Sequence, residues 1–199
     1  SVTNILFTLA IVLVAVIIII IWPVSLYNKM VRADEQVSQS WGQVENVYQR
    51  RADLIPNLVN TVKGAADFER NTLQAVIEAR ANATSMKIDP TQLTEENLAA
   101  FQKAQDNLSS SLSRLMVVVE RYPELKANQN FLELQAQLEG TENRITVERM
   151  KFNESVQNYN SLIRRFPANM VAGLMNFDKK AYFQAAEGAE VAPDVNFDF

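Results

Sequence analysis

The chain has 199 residues, 19 of them basic and 23 acidic, a net charge of −4, and neither cysteine nor histidine. These counts exclude disulfides, thiolate and imidazole metal sites, cysteine nucleophiles and Ser-His-Asp triads, and the acidic balance argues against a nucleic-acid partner, which needs a basic face. With five glycines and six prolines, turns are few, so long helices rather than a many-stranded sheet are expected.

The first element is an apolar run, ILFTLAIVLVAVIIIIIW, from Ile5 to Trp22, broken only by Thr8. It reaches the roughly 18 residues that mark a transmembrane helix. Ile5, Ile11 and Ile18 sit in it as lipid-facing anchor positions, and Trp22 and Tyr27 stand at its end, where amphipathic aromatics favour the headgroup level. A basic leader and a small-residue cleavage site, the marks of a signal peptide, do not flank it, so an uncleaved anchor over residues 1–26, in contact with membrane lipid, is expected. Lys29 and Arg32 follow the run and no basic residue precedes it, which by the positive-inside rule puts the rest of the chain in the cytoplasm.

From Leu26 the apolar spacing is helical. Val37, Trp41, Val44 and Tyr48 step by four, three and four, and no break separates this helix from the anchor except Pro23. Pro56 lacks a backbone N–H and disfavours the helical conformation at Ile55, so a kink or tight turn is expected there. A second stripe, Leu58, Val62, Leu73 and Val76, runs to about Ala83, with Gly64 as a blemish inside it. Met86–Thr94 reads as a loop, and Thr94 followed by Glu95 and Glu96 as a helix start. Phe101, Gln105, Leu108, Leu112, Leu115, Val119 and Tyr122 form a heptad-like seam that Pro123 ends. A fourth helix, from about Asn130 to Phe166, carries Phe131, Leu134, Leu138, Thr141, Ile145, Glu148, Phe152, Val156, Tyr159 and Ile163 on one face and closes at Pro167. A short helix over 169–175 and a tail rich in aromatics complete the chain. The expected fold is all-α: an anchor, an elongated up-down bundle of four long helices over 27–176, and an extended tail over 177–199.

Several stretches are longer motifs: WGQVE from Trp41, RRADLIPNLV from Arg50, EAR from Glu78, YPELKANQNFLELQ from Tyr122, TENRI from Thr141, and APDVNF from Ala192. In these the chain resembles the LemA family of bacterial membrane proteins along nearly its whole length. The resemblance implies a short N-terminal segment, one transmembrane helix and a helical-bundle domain, and no established biochemical activity. Relatives are often encoded near membrane proteases. Phe68-Glu69 departs from the His-Glu that many relatives carry, which weakens any metal or acid-base role at that point.

Arg50 and Arg51, with Pro56 and Asn57, make the sharpest local feature. The two arginines are read either as binders of acidic headgroups or partner carboxylates, or as salt-bridge formers inside the bundle beside a packed corner at Leu54-Ile55-Pro56, and the second reading is preferred. Glu142, Asn143 and Arg144 lie beside a stripe that already tolerates Thr141 and Glu148. Glu69, Glu120, Glu142 and Glu148 could be drawn as an all-carboxylate metal site, but di-metal bundles add histidine, and a register-fixing polar network of Arg–Glu pairs with Asn153 and Asn160 is preferred. No metal or other cofactor is expected. Phe177, Tyr182, Phe183, Val195, Phe197 and Phe199 are too many apolar groups for a solvated tail: they pack on their own bundle, dock on a neighbouring copy, or lie at the membrane surface. The expected function is non-enzymatic: a self-assembling scaffold at the membrane, or else an adaptor for another membrane protein such as a protease.

Overall fold

The computed structural model describes residues 2–65 and 67–184. Among these residues there is no strand. α1 spans Val2–Lys63, α2 Arg70–Ser85, α3 Glu95–Val119, α4 Pro123–Lys126, α5 Gln129–Arg164 and α6 Ala168–Leu174, with a single 3-10 turn at Pro90–Gln92.

α1 joins what the sequence reads as three pieces. At 1.5 Å per residue its 62 residues reach about 93 Å. Its first third is apolar and unburied, a candidate membrane span in which Ile5, Ile11, Ile18 and Trp22 are 44–60% exposed. Beyond it one seam, Met30, Val37, Trp41, Val44, Tyr48, Ile55, Leu58 and Val62, keeps to one face.

The turn expected at Pro56 is absent. Proline removes the N–H that would bond the carbonyl four residues back, which is that of Ala52. Arg80 of α2 supplies the missing donor, its Nε–H reaching the Ala52 carbonyl at 2.8 Å. With that carbonyl satisfied and the apolar seam continuous on both sides, the helix runs through. It breaks instead at Gly64, where the sequence shows only a blemish. The chain then turns through Asp67, at φ 59°, and Phe68 packs on Tyr122 at a ring distance of 4.8 Å.

Cross-contacts give the directions. Arg51 meets Glu142 and Trp41 meets Phe152, so α5 runs antiparallel to α1 in equal steps. Tyr48 meets Phe101 and Arg51 meets Ser109, so α3 is parallel to α1. Arg80 meets Ala52 and the Ile88 carbonyl accepts from the Trp41 indole, so α2 descends beside it. Thr94 caps α3 by accepting from the Asn97 N–H, and Asn128 caps α5 by accepting from that of Phe131. Pro123 does not end α3, which stops at Val119; it opens α4, where its missing N–H costs nothing.

α6 ends in a left-handed residue, Asn176 at φ 55°, and the Phe177 N–H reaches back to the Ala172 carbonyl. This Schellman-type stop sends the chain past Tyr27, whose ring lies 5.8 Å from that of Phe177. The following strap, residues 177–184, is extended and climbs back along the bundle. Phe197 and Phe199 lie outside the described residues.

Candidate functional site

The core divides in two. A lower cluster, nearer the apolar third of α1, is built around Trp41, Tyr48, Phe101, Phe152, Tyr159 and Phe183. An upper cluster is built around Ile55, Leu58, Val76, Leu108, Leu115 and Leu138. Between them, on α1, α3 and α5, lie Arg51, Gln105 and Thr141, three of the four buried polar side chains among the described residues.

Arg51 is the centre of this layer and is 1% exposed. Its Nη1 donates to Ser109 Oγ at 2.7 Å and to Glu142 Oε2 at 3.1 Å, and its Nη2 donates to the Gln105 side-chain and backbone oxygens at 2.7 and 3.1 Å. Its guanidinium carbon stands 5.1 Å from the centre of the Tyr48 ring. The forked donor geometry of arginine is what allows one side chain to tie α1 to α3 and α5 together. Gln105 continues the chain of bonds to α2, its Nε2 facing the Ala83 carbonyl. Thr141 turns inward and satisfies its hydroxyl on its own helix, at the Gln137 carbonyl.

The Arg51–Glu142 pair is lopsided. Glu142 keeps 53% of its side chain in contact with solvent while Arg51 is sealed. The carboxylate end opens into a groove of about 240 Å³ that Ser109, Ser113, Gln135 and Glu139 also line. The burial that hides the arginine also acts on its neighbour, the Tyr48 hydroxyl, and pushes its pKa up; the Arg149 and Arg51 charges partly offset this.

The strap has its own site. Asn160 accepts from the Lys180 N–H and donates to the Lys180 carbonyl, both at 2.9 Å. Asn153 makes the same pair of bonds with Phe183, at 2.8 and 3.0 Å, and Gln102 with Gln184, both at 3.2 Å. Each amide thus reads the strap's backbone as a neighbouring strand would. Asn153 and Asn160 are seven helical residues apart, about 10.5 Å, and the strap covers about 10 Å in the three extended residues between 180 and 183, so the two spacings match. The Phe183 ring drops between Trp41, Phe101 and Phe152, at 6.0, 6.4 and 5.4 Å, and Arg149 stacks over it at 4.7 Å. Lys180 reaches Asp34 at 2.8 Å.

Of the candidate interface residues singled out on α1 and α5, the structure brings Arg51 and Glu142 together and leaves the others apart. Arg50, Asn143 and Arg144 are exposed on the outer faces of α1 and α5, and so are Pro56 and Asn57, the latter beside Asn60 and Asn130 in a shallow hollow. Arg50 and Arg51 stand about 42–44 Å beyond Trp22 along α1. The four carboxylates drawn as a metal site scatter, Glu69 to Arg121, Glu120 to Lys126, Glu142 to Arg51 and Glu148 to Lys151. Asn153 and Asn160 hold the strap, not an Arg–Glu network. Gln102 carries one weak signal in the sequence, an amide at the edge of the α3 seam. Arg80 lies in the EAR motif, but nothing in the sequence marks it as the donor that Pro56 requires.

The sequence is similar to those of known proteins. A model of the LemA family matches residues 40–197. Protein LemA of Metamycoplasma hominis is 23% identical over 169 residues, 85% of this chain and 74% of that protein. Magnetosome protein MamQ 2 of Paramagnetospirillum magneticum and magnetosome protein MamQ of Magnetospirillum gryphiswaldense are each 26% identical over 79% of this chain. The chain spans 64% of the length of these magnetosome relatives.

Proposed function

This chain belongs to the LemA family, and on that premise we propose that it is a self-assembling scaffold at the bacterial inner membrane, with its four long helices acting as one up-down bundle on the cytoplasmic side. The observation that carries the reading is the unbroken α1. A membrane anchor joined by a flexible linker lets its domain tumble; here the same helix is candidate span and first strut of the bundle. The bundle's orientation is therefore fixed relative to the bilayer. Copies held this way meet with the same faces in register, and confinement to two dimensions raises their effective concentration. Similarity to the LemA and MamQ proteins supports membrane association.

The deciding experiment is the mass of the full-length protein in mild detergent by size exclusion with light scattering. One discrete multi-copy species is expected; a monomer at high concentration overturns the scaffold. The second reading, an adaptor for another membrane protein, draws on the open groove at Glu142. It predicts a heterologous crosslink from a photoreactive residue at Glu139 and no self-assembly.

A further inference from the structure

We infer that α6 and the turn before it form a foot that rests on the bilayer surface, its outer apolar face sunk among anionic lipid headgroups. The inference builds on the reading of α1 as a membrane span.

α6 has two apolar faces. Ala168, Val171 and Ala172, at spacings of three and four, are buried in the lower core with Met30 of α1. Met170 and Leu174, four apart on the opposite side, are apolar too and bare, at 62% and 80% exposed, and Phe166 and Met175 at the two ends of the helix are 81% and 55% exposed. Four large apolar side chains so exposed within ten residues are unmatched elsewhere on the described bundle, where Val117 stands singly and Met150 is joined only by the less exposed Val147.

Position supplies the occupant. α5 descends toward the apolar third of α1, and Arg165–Pro167 is the turn at that end. α6 and the Phe177 that follows it pack on α1 at Met30 and Tyr27, only five to eight residues past Trp22. That is about 8–12 Å along a helix, while the headgroup layer is about 5–8 Å thick and an interfacial helix sinks about 5–10 Å. The bare face is thus within reach of the layer. The surrounding charge fits an anionic surface: Lys29, Arg32, Arg164, Arg165 and Lys179 are exposed here, against the exposed acids Glu35 and Asp178. Asp34 is engaged by Lys180.

The chain has no cysteine, so a single introduced one carries a spin label uniquely. The test uses the full chain in vesicles with labels at Met170→Cys, Met150→Cys and Ile11→Cys. Met150 and Met170 are equally exposed, both 62%, but Met150 lies far up α5. In phosphatidylglycerol vesicles the 170 label should collide with oxygen and lose most of its collisions with a water-soluble nickel reagent, while the 150 label keeps them. In phosphatidylcholine the 170 label should sit shallower. A 170 label as wet as the 150 label, with the 11 label embedded, overturns the foot but not the anchor. A 170 label shielded from both reagents and broadened by neighbouring labels overturns it in favour of a second copy. Equal depth in the two lipids overturns the choice of anionic headgroups. A wet 11 label overturns the anchor, and the foot with it.

Discussion

The two halves of the core solve the same packing problem with different materials. The upper half is mostly aliphatic, with Phe68 and Phe131 among its buried side chains, and is closed by the helices themselves; its outer ion pairs, such as Arg121–Glu69, are exposed and contribute little. The lower half is aromatic and open on one side until a distant segment closes it: the strap is held by Asn153, Asn160 and Gln102 and plugged by Phe183. Helix pairs alone suffice above; below, the bundle is incomplete without its own C-terminal chain. The Arg51 layer marks the boundary, and it fixes how the two halves align, because only one register brings Ser109, Gln105 and Glu142 to the same guanidinium.

The sharpest way to break this comparison is to cut one large side chain from each half. Trp41→Ala should cost about 3–5 kcal/mol and Leu115→Ala about 2–5 kcal/mol in denaturant unfolding. Hydrogen exchange should separate them: only Trp41→Ala should expose the amides of 180–184. Equal exposure in both would show that the halves open as one unit.

Next in size is the boundary. Arg51→Met should cost about 1–3 kcal/mol, mainly from Gln105 and Ser109 left unpaired, because Glu142 keeps its water and escapes the full cost of a buried lone charge. A loss above that range would mean the layer does more than align the helices.

Arg80→Met should cost a similar 1–3 kcal/mol by stranding the Ala52 carbonyl. The same substitution in a Pro56→Ala background should cost less, because an alanine at that position restores the helical N–H. A double-mutant cycle with no coupling would detach Arg80 from the proline.

Asn160→Ala should cost about 1–2 kcal/mol by removing two bonds to Lys180. Its exchange signature should stay confined to the strap, with the upper half unchanged.

The smallest effect is in pH. Partial burial holds the Glu45 carboxyl above its ordinary value of 4.5, offset in part by the Trp41 indole and Lys87. A raised carboxyl favours folding fully below 4.5, and that contribution is lost as pH rises through the higher folded value. Glu45→Gln should therefore flatten the fall in stability above pH 4.5, by less than about 1 kcal/mol after allowance for solvent. An unchanged slope would assign it to other groups.

Much of this was legible in advance. The apolar run, the α3 cap at Thr94 and the buried faces of α3 and α5 follow from hydrophobic spacing and local capping, which act within a few residues and so leave their mark on the linear chain. Of the polar layer, Arg51 and Glu142 stand in marked motifs, while Gln105 and Thr141 are placed on inward stripes by spacing alone. The sequence by itself thus determined an all-helical protein with a candidate membrane span and set most of the inward-facing residues. Whether Pro56 turned the chain was decided elsewhere, by Arg80 on another helix, because a stranded carbonyl can be satisfied from any direction in space. The partner of Arg51, and the strap threaded across three amides, were likewise tertiary decisions: a backbone-reading side chain bonds groups that every residue carries, so its target has no signature in the sequence.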